Sequence, residues 1–390
     1  MQSASNEKKV NSLLKYFSIL GITTPYAKCR LSKLYAIFLL FLTLLISCFC
    51  NYMKGFHVKA LEKYHFVIKI TDATSCTILT CGVAVTIINT RLIYVDNINK
   101  ILQRIKEFDI VVKPNLNCAL CVVILFVMHF FLMSTTCFDA YTWSTSESFG
   151  EYKYFLIRDI QNIQLSSTIC LWMWLGSEIR RRFSVLNDLL IDELIHKDSS
   201  SLSGNNKAEK PDLQKMSKKL KNIGRLYNKM CDAVDLVNEL FGLSIMFFVI
   251  FAICYVVSYS SVLALVAVGS EAMSGLTKNQ NLRILSLVWI VENMIKIMAL
   301  ASAGENLSRE ANRTITVCYG IINTLDNNPQ YNVDAIKEEL NFLIQQAAHR
   351  KPCLSASGFF VANSTMMGFI IGSITSYVIV AVQFLKETSP

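Results

Sequence analysis

Long runs of apolar residues without a charged side chain constrain this sequence more than any other feature. Four of them are plain, at residues 34–52, 115–138, 240–270 and 352–385. A helix needs about 20 mostly apolar residues to cross a bilayer, so each of these runs is long enough, or nearly so, to span one. Charged residues make up 17% of the chain, against about 25% in soluble domains, which agrees with a membrane protein.

Three further runs are weaker candidates because each contains or adjoins polar groups. Residues 73–90 lie between an aspartate and an arginine, and residues 160–177 are rich in Ser, Gln and Asn. Residues 282–303 contain one glutamate and one lysine, with an arginine at their second position. The seven runs are long and do not alternate, which favours helices over the strands of a membrane barrel. The sequence therefore predicts an all-α membrane protein with seven transmembrane helices.

Lys and Arg are distributed unevenly between the two sides of these predicted spans. Of the 38 Lys and Arg residues, 28 fall in the N-terminal segment and the loops on its side, and 7 fall on the other side. Cytoplasmic loops carry the excess of basic residues. We therefore expect a multi-pass cell-membrane protein with a cytoplasmic N-terminus and an extracellular C-terminus. The net charge of +9 is expected to contact anionic membrane lipid, not nucleic acid.

Segments outside the spans also show helical patterns. Residues 11–21 carry leucines and a phenylalanine at helical spacing, which predicts a short helix at the membrane surface. Residues 188–196 and 215–240 are predicted helical extensions, and residues 332–348 form an amphipathic pattern just before the last span. The Ser-rich stretch 198–206 has the composition of a flexible linker. These extensions are expected to form an anchor beneath the membrane.

Motifs of enzyme active sites are absent from the sequence. It contains no P-loop, no GxSxG elbow and no HExxH zinc motif. We therefore expect no enzymatic activity, no metal and no cofactor, and look instead for a binding site or a pore.

Aromatic residues in several predicted spans are candidates for a ligand pocket. Tyr255 and Tyr259 lie four residues apart in the fifth span, Trp289 lies in the sixth, and His129 lies in the third. An apolar pocket with a few polar tips is the usual composition of a small-ligand site. The alternative is that these side chains form the bundle core and the aromatic belt of the membrane interface.

Ionisable residues inside a membrane span are candidates for function because they are costly to bury. Glu292 and Lys296 lie four residues apart in the sixth span, in the order that favours pairing on one helix face. We include Glu292 in the candidate ligand site. The alternative is a local ion pair that only makes both charges tolerable.

The last predicted span carries a narrow polar stripe on an otherwise apolar helix. Steps of four, three and four residues place the stripe on one face, which is typical of a pore wall. The alternative is that Gln383, within this stripe, forms a hydrogen bond to a neighbouring helix. The stripe consists of Ser376, Val380, Gln383 and Glu387, and the adjacent stripe includes Tyr377 and Phe384.

The same span contains the most specific motif of the chain. Residues 376–377 are Ser-Tyr, five apolar residues follow, and residues 383–384 are Gln-Phe. This resembles the insect gustatory receptor family, whose hallmark has Thr-Tyr at the first two positions. The upstream segment 356–360, with its Gly-Phe-Phe, and the pair 310–311, Glu-Ala, also resemble that family.

The resemblance implies a ligand-gated cation channel that opens for a small-molecule tastant. It implies four subunits, as a homotetramer or as a heterotetramer with related receptors, a ligand cavity within each helix bundle, and a pore lined by the last helix. Side chains near its outer end, one from each of the four subunits, would form rings around the pore and gate the flow of cations. The implied pore and gate residues are Tyr377, Val380, Gln383, Phe384 and Glu387.

One difference from the family motif indicates the ligand class. Sugar receptors of the resembled family tend to have an acidic residue after the motif tyrosine, and residue 378 here is valine. We therefore expect a non-selective cation channel for bitter plant compounds. A fructose-type sugar receptor and an odorant-type receptor remain alternatives, as does a G-protein-coupled receptor, which needs its N-terminus outside.

These inferences divide the chain into four parts with different expected roles. They are a cytoplasmic segment at 1–33, a ligand-binding bundle at 34–303, a cytoplasmic anchor at 304–357, and a pore-lining helix with a short extracellular tail at 358–390.

Overall fold

Ten helices make up most of the described part of the structure, which is a computed structural model. It describes residues 12–23, 30–57, 66–112, 119–146, 152–192, 210–268, 280–326 and 334–387. Within those ranges, extended backbone pairs only at an isolated bridge between Ser355 and Val361. The helices are α1 (12–19), α2 (Arg30–His57), α3 (Phe66–Ile88, continued by a π-turn at Asn89–Ile93), α4 (Asn97–Val112), α5 (Ala119–Ser146), α6 (Leu156–Ile191), α7 (Lys210–Val268), α8 (Gln280–Asp326), α9 (Asp334–His349) and α10 (Ser364–Glu387).

The predicted all-α fold with seven spanning helices is confirmed, and the spans are α2, α3, α5, α6, α7, α8 and α10. Among the described side chains, α2, α3, α7 and α8 are long and apolar enough to cross a membrane by length and composition alone. The described apolar part of α10 is shorter, at 364–380. The predicted linker at 198–206 lies outside the described residues.

Helix α6 can carry many polar residues because other helices surround it and shield them from lipid. Most side chains between Arg158 and Leu190 are buried, including Gln161, Asn162 and Ser166. Helix α2, in contrast, exposes large apolar side chains such as Phe38 and Phe41. The weak hydropathy of 160–177 therefore reflects a central helix whose polar groups meet other helices, where lipid-facing apolar residues are not needed.

Two helices are far longer than a membrane requires. At 1.5 Å per residue, α7 is about 90 Å long and α8 about 70 Å, while the hydrocarbon core is about 30 Å thick. Both therefore project from one end of the bundle, and the boundary that we expected at residue 303 falls inside the continuous helix α8. We call this projecting end the anchor end and the opposite end the distal end.

At the anchor end, α4 packs on α7, and α9 packs on both α7 and α8. The predicted amphipathic helix before the last span is confirmed as α9, which buries Ile336, Leu340 and Leu343. Lys229 of α7 donates a hydrogen bond to Glu107 of α4 at 2.6 Å, and this bond lowers the pKa of the Glu107 carboxyl. Hydrogen bonds between helices thus supplement the apolar contacts of the anchor end.

The N-terminal helix α1 docks on the bundle through an arginine. The π-turn after α3 carries Arg91, which donates hydrogen bonds of 2.7 to 2.8 Å to the backbone oxygens of Ser18, Gly21 and Thr23. The last carbonyls of a helix lack partners within it, so Arg91 satisfies groups that would otherwise need water. The short helix predicted at 11–21 therefore exists and is attached to α3.

Candidate functional site

Three aromatic residues singled out from the sequence meet near the distal end. Tyr255 and Tyr259 have ring centroids 4.7 Å apart and hydroxyl oxygens 3.1 Å apart. The ring of Trp289, from α8, lies edge-on to Tyr255 with centroids 5.5 Å apart. Trp289 and Tyr255 are buried, and Tyr259 is half-buried. We call these three residues the aromatic group.

A set of charged residues, which we call the charged cluster, lies beside the aromatic group. Arg158 of α6 donates to Asp139 of α5 at 2.8 Å and lies 3.4 Å from Asp159. Tyr152 donates its hydroxyl to the other oxygen of Asp159 at 2.7 Å. All four residues are buried. A buried ion pair is tolerated only when its hydrogen bonds are satisfied, so the cluster ties α5 to α6.

Arg158 joins the charged cluster to the aromatic group. Its guanidinium carbon lies 5.8 Å from the ring centroid of Tyr255 and 5.2 Å from that of Phe155. The indole of Trp289 also lies near the Asp139 carboxylate without completing a hydrogen bond to it. Cationic and aromatic groups at such distances attract each other, so the two sets form one continuous surface.

A second ion pair and a small cavity lie on the α2 side of Arg158. Lys54 of α2 pairs with Asp72 of α3, and its ammonium lies 4.4 Å from the ring centroid of Phe155. The cavity between α2, α3 and α6 has a volume of about 10 Å³, near the minimum that holds one water molecule. It is lined by Ser47, Asn51, Lys54, Cys76, Tyr154, Phe155, Ile157, Arg158 and Gln161.

The predicted pair within the sixth span lies deeper in the bundle, where it contacts α6. Lys296 lies 2.5 Å from Glu292 and donates a hydrogen bond of 2.8 Å to Ser166. Ser166 in turn donates to Asn162. Because Arg158, Asn162 and Ser166 are four residues apart, they form a polar stripe along α6. The pair is therefore connected across helices as well as along α8.

His129 lies apart from this surface, against α1 and another part of α6. Its Nε2 is 2.8 Å from the hydroxyl of Ser167, and its ring packs edge-on against Tyr16 at 5.5 Å. It precedes Asp139 by ten residues on α5, or about 15 Å along the helix. The structure thus brings together Tyr255, Tyr259 and Trp289, places Glu292 one turn deeper on α8, and sets His129 at the level of Ser167.

Sequence reasoning missed Asp139 and Tyr152 as members of this site. Asp139 immediately follows the third charge-free run, and Tyr152 lies just before α6. The available signal was an acidic residue and Arg158 at facing ends of consecutive spans, which favours pairing between them. The surface combines aromatic faces, one guanidinium and several carboxylate oxygens, which are the kinds of group that bind small molecules, and here they pack against one another.

Helix α10 lies at the edge of the bundle, where it packs on α7 and α8. Met366 and Ile370 are buried, while Phe369 and Tyr377 are 75% and 60% exposed. Gln383 and Val380 are also exposed. The helix includes Phe384 and Glu387, but the side chains of those two residues lie outside the described part of the structure.

A compact connecting segment, residues 350–363, joins α9 to α10 and packs against three spanning helices. Leu354 is fully buried against Gly176 of α6. Asn238 of α7 donates to the Cys353 carbonyl at 2.8 Å and accepts from the Ser355 amide at 3.0 Å. A Cβ atom on Gly304 of α8 would lie 2.1 Å from the Ala362 carbonyl oxygen. We call this segment the coupling turn.

The comparisons with known proteins agree with this architecture. A family model described as 7tm Chemosensory receptor matches residues 10–387. Gustatory receptor 68a of Drosophila melanogaster is 24% identical over 171 residues, which are 43% of this chain and 41% of that protein. The match therefore spans less than half of that relative.

Two solved structures resemble the fold over nearly the whole chain. The insect olfactory receptor OR5 from Machilis hrabei, in complex with eugenol, has a TM-score of 0.66 at 12% identity and covers 97% of this chain and 98% of its own. OR5 described without eugenol has a TM-score of 0.63 at 10% identity, with coverage of 98% and 100%. At these identities the likeness concerns the fold alone.

Proposed function

This chain belongs to the family of seven-transmembrane chemosensory receptors, and we propose that it is a gustatory receptor that opens a non-selective cation channel when a small molecule binds. The proposed ligands are bitter plant compounds. The observation that carries the proposal is a buried aromatic and charged surface near one end of the bundle, joined by α8 to the turn that holds the last helix.

The proposed ligand site consists of the aromatic group and the charged cluster, with Glu292 at its deeper end. Trp289 and Glu292 lie on the same helix as Gly304, which touches the coupling turn. The distance from Trp289 to Gly304 is about 20 Å along α8. A ligand that favours a different position of α8 would therefore also favour a different position of α10, through its greater affinity for that state.

The proposed pore is lined by α10 from four copies of related chains. The support is that much of α10 is uncovered in a single chain, with Phe369, Tyr377 and Val380 exposed. Gly368 and Gly372 have no atom within 4 Å of an added Cβ, which leaves room for close approach by another helix. Gln383 and Phe384 are the proposed gate, and Glu387 the proposed cation-attracting residue at the mouth.

The assembly and orientation are part of the same proposal. We propose a homotetramer or a heterotetramer with related receptors, with the anchor end in the cytoplasm and the C-terminus outside. The basic residues that support this orientation include Arg104, Lys221 and Lys229 at the anchor end. Surrounding lipid and permeating cations are the other partners. An odorant-type ligand remains the second candidate, because the eugenol-bound OR5 has the same fold.

The test is patch-clamp recording from cells that express this chain alone. Alkaloids, sugars and eugenol are applied separately, and current is measured with Na⁺, K⁺ or a large organic cation as the permeant ion. The proposal expects a saturable current carried by both Na⁺ and K⁺ for at least one alkaloid. Current that only sugars or eugenol evoke would support the alternative ligand classes, and no current from any compound would contradict a channel formed by this chain alone.

Orientation separates the channel from a G-protein-coupled receptor. An epitope at the C-terminus should be labelled by antibody on intact cells, while one at the N-terminus should be labelled only after permeabilisation. The reverse result would contradict the proposal and favour the G-protein-coupled alternative.

A further inference from the structure

Carboxylate oxygens without hydrogen-bond partners line the interior between α5 and α8. Asp139 has a fully buried side chain, and only its Oδ2 atom pairs with Arg158. Its Oδ1 atom completes no hydrogen bond within the described part of the chain, and neither does the indole nitrogen of Trp289, which lies near this carboxylate. The same holds for Oε2 of Glu292 and for Oδ1 of Asn293, whereas Oε1 of Glu292 forms an ion pair with the Lys296 ammonium at 2.5 Å. Buried polar atoms are almost always paired in folded proteins, so these acceptors need an explanation.

The balance of charge on this surface is negative. Asp139, Asp159 and Glu292 supply three carboxylates, while Arg158 and Lys296 supply two cations. The nearby pair of Lys54 and Asp72 is neutral in sum and does not change the balance. A buried charge without a counter-charge is strongly unfavourable, so either a proton or a positively charged ligand must neutralise the third carboxylate.

The groups around these acceptors match an organic cation. Aromatic faces bind ammonium groups through their quadrupoles, and Tyr255, Tyr259 and Trp289 lie beside the carboxylates. Trp143 stacks on Phe155 at 4.8 Å at the same end of the bundle. An inorganic cation would use the carboxylates alone, while an aromatic amine would use both the carboxylates and the rings.

We propose that the ligand is a protonated or quaternary aromatic amine, whose cationic nitrogen binds at Asp139 and whose apolar body packs on the aromatic group. This inference rests on the proposed function and specifies its ligand class. The cavity beside α2 does not suit such a cation, since Lys54 and Arg158 line it. The acceptors are buried in the present state, so α5 and α8 must separate for the amine to enter.

The inference is tested by binding to the purified full-length protein in lipid nanodiscs, followed by tryptophan fluorescence and by the melting temperature. The probes are benzyltrimethylammonium, its uncharged isostere neopentylbenzene, and denatonium. A charge-assisted hydrogen bond or ion contact in a buried site changes affinity by about tenfold or more. We expect at least one cationic probe to bind about tenfold more tightly than neopentylbenzene. Equal affinities for the charged and uncharged isosteres, or no binding by either cation, would overturn the inference.

Variants locate the cationic nitrogen. Asp139→Asn should weaken binding of the cationic probe about tenfold or more and leave neopentylbenzene unchanged. Glu178→Gln is the matched control, because Glu178 is a buried carboxylate that pairs with Arg182 outside the proposed site, and it should leave cation affinity unchanged. If Asp139→Asn lowers the yield of folded protein, Glu292→Gln provides the same comparison. Unchanged cation affinity in the folded Asp139 and Glu292 variants excludes this site.

The binding readout separates this inference from the proposed channel. Tight binding of a cation without any ligand-evoked current contradicts the channel and leaves the ligand class supported. A channel that opens for neutral compounds, in a protein that binds neither cation, contradicts the ligand class and leaves the channel supported.

Discussion

At the scale of single residues, the site depends on contacts between side chains that are far apart in the sequence. Trp289 meets Tyr255 across the α7 and α8 interface, and Arg158 meets Asp139 across the α5 and α6 interface. In each contact, an aromatic or charged side chain of one helix meets a helix that carries another residue of the proposed site. A change at one of these residues should therefore alter ligand response before it alters ion flow.

Trp289→Ala should weaken the ligand response about tenfold or more, while single-channel conductance stays the same. The indole is fully buried against Tyr255, and its loss removes part of the proposed aromatic wall. Such truncations also cost about 3–5 kcal/mol of stability, so surface expression must be measured beside the dose–response curve. Trp289→Phe is the control, because it keeps an aromatic face and should shift sensitivity less. Altered conductance with unchanged sensitivity would place the residue in the pore.

At the scale of elements, the coupling turn connects the site-bearing helices to α10. It contacts Gly176 of α6, Gly242 of α7 and Gly304 of α8, and a Cβ on each of these would lie within 2.6 Å of the turn. Glycine is needed at Gly242 and Gly304, where the near atoms belong to the backbone of the turn, whereas at Gly176 the near atom is the end of the Leu354 side chain. The start of α10 is capped by Asn363, whose side chain accepts from the Met366 amide at 2.9 Å.

Gly304→Ala should destabilise the protein by about 1–3 kcal/mol or more and change the resting current. The added methyl group would overlap the Ala362 carbonyl oxygen, which belongs to backbone and cannot rotate away. Thermal stability in detergent and current without ligand are the two measurements. Gly320→Ala on the same helix is the matched control, since nothing lies within 4 Å of its added Cβ. That variant should be neutral or slightly stabilising, and equal effects of the two changes would argue against the turn as a coupling element.

The pore proposal for α10 gives a prediction at its outer end. Phe384→Ala should produce a leak current without ligand, because a ring of phenylalanines closes a pore by excluding water.

Gln383→Ala should change conductance or ion preference with little change in ligand sensitivity. Glu387→Gln should reduce cation current most at low ionic strength, where screening is weakest. Wild-type leak, conductance and selectivity in both the Phe384 and Gln383 variants would show that α10 does not form the gate.

At the scale of the whole molecule, the two ends of the bundle hold different ion pairs. Pairs at the anchor end include exposed and half-exposed ones, such as Arg350 with Asp232 and Asp235, together with a buried pair of Arg182 and Glu178. The distal end holds the buried pair of Arg158 and Asp139. Exposed pairs suit an aqueous compartment and contribute little stability individually, so the projecting helices fit the cytoplasm that the charge bias predicts.

Three glycosylation sequons test this orientation. Asn306 and Asn312 lie in the projecting half of α8, and Asn363 caps α10. None should carry glycan, because glycosylation occurs on the extracellular side. The measurement is the electrophoretic shift after endoglycosidase treatment of the chain expressed in insect cells. A shift that disappears in Asn306→Gln or Asn312→Gln would reverse the orientation.

The number of spans, the amphipathic helix before the last span and the motif in α10 could all be predicted from the sequence. These features depend on local properties, namely the length of apolar runs and the spacing of side chains along one helix. Tyr255 and Tyr259 were predictable as neighbours for the same reason, since one turn separates them. Trp289 could be suspected, because it lies in a span at a suitable depth.

Which helix is central and which charges meet could not be predicted from the sequence, because both depend on how the helices pack. From the sequence, α6 is a weak span. Its polar residues are explained by the structure, in which other helices surround it. Asp139 meets Arg158, and Gly304 meets Ala362, because of how helices pack against one another. Such contacts depend on the rotation and height of each helix, and no periodicity within a single helix specifies those.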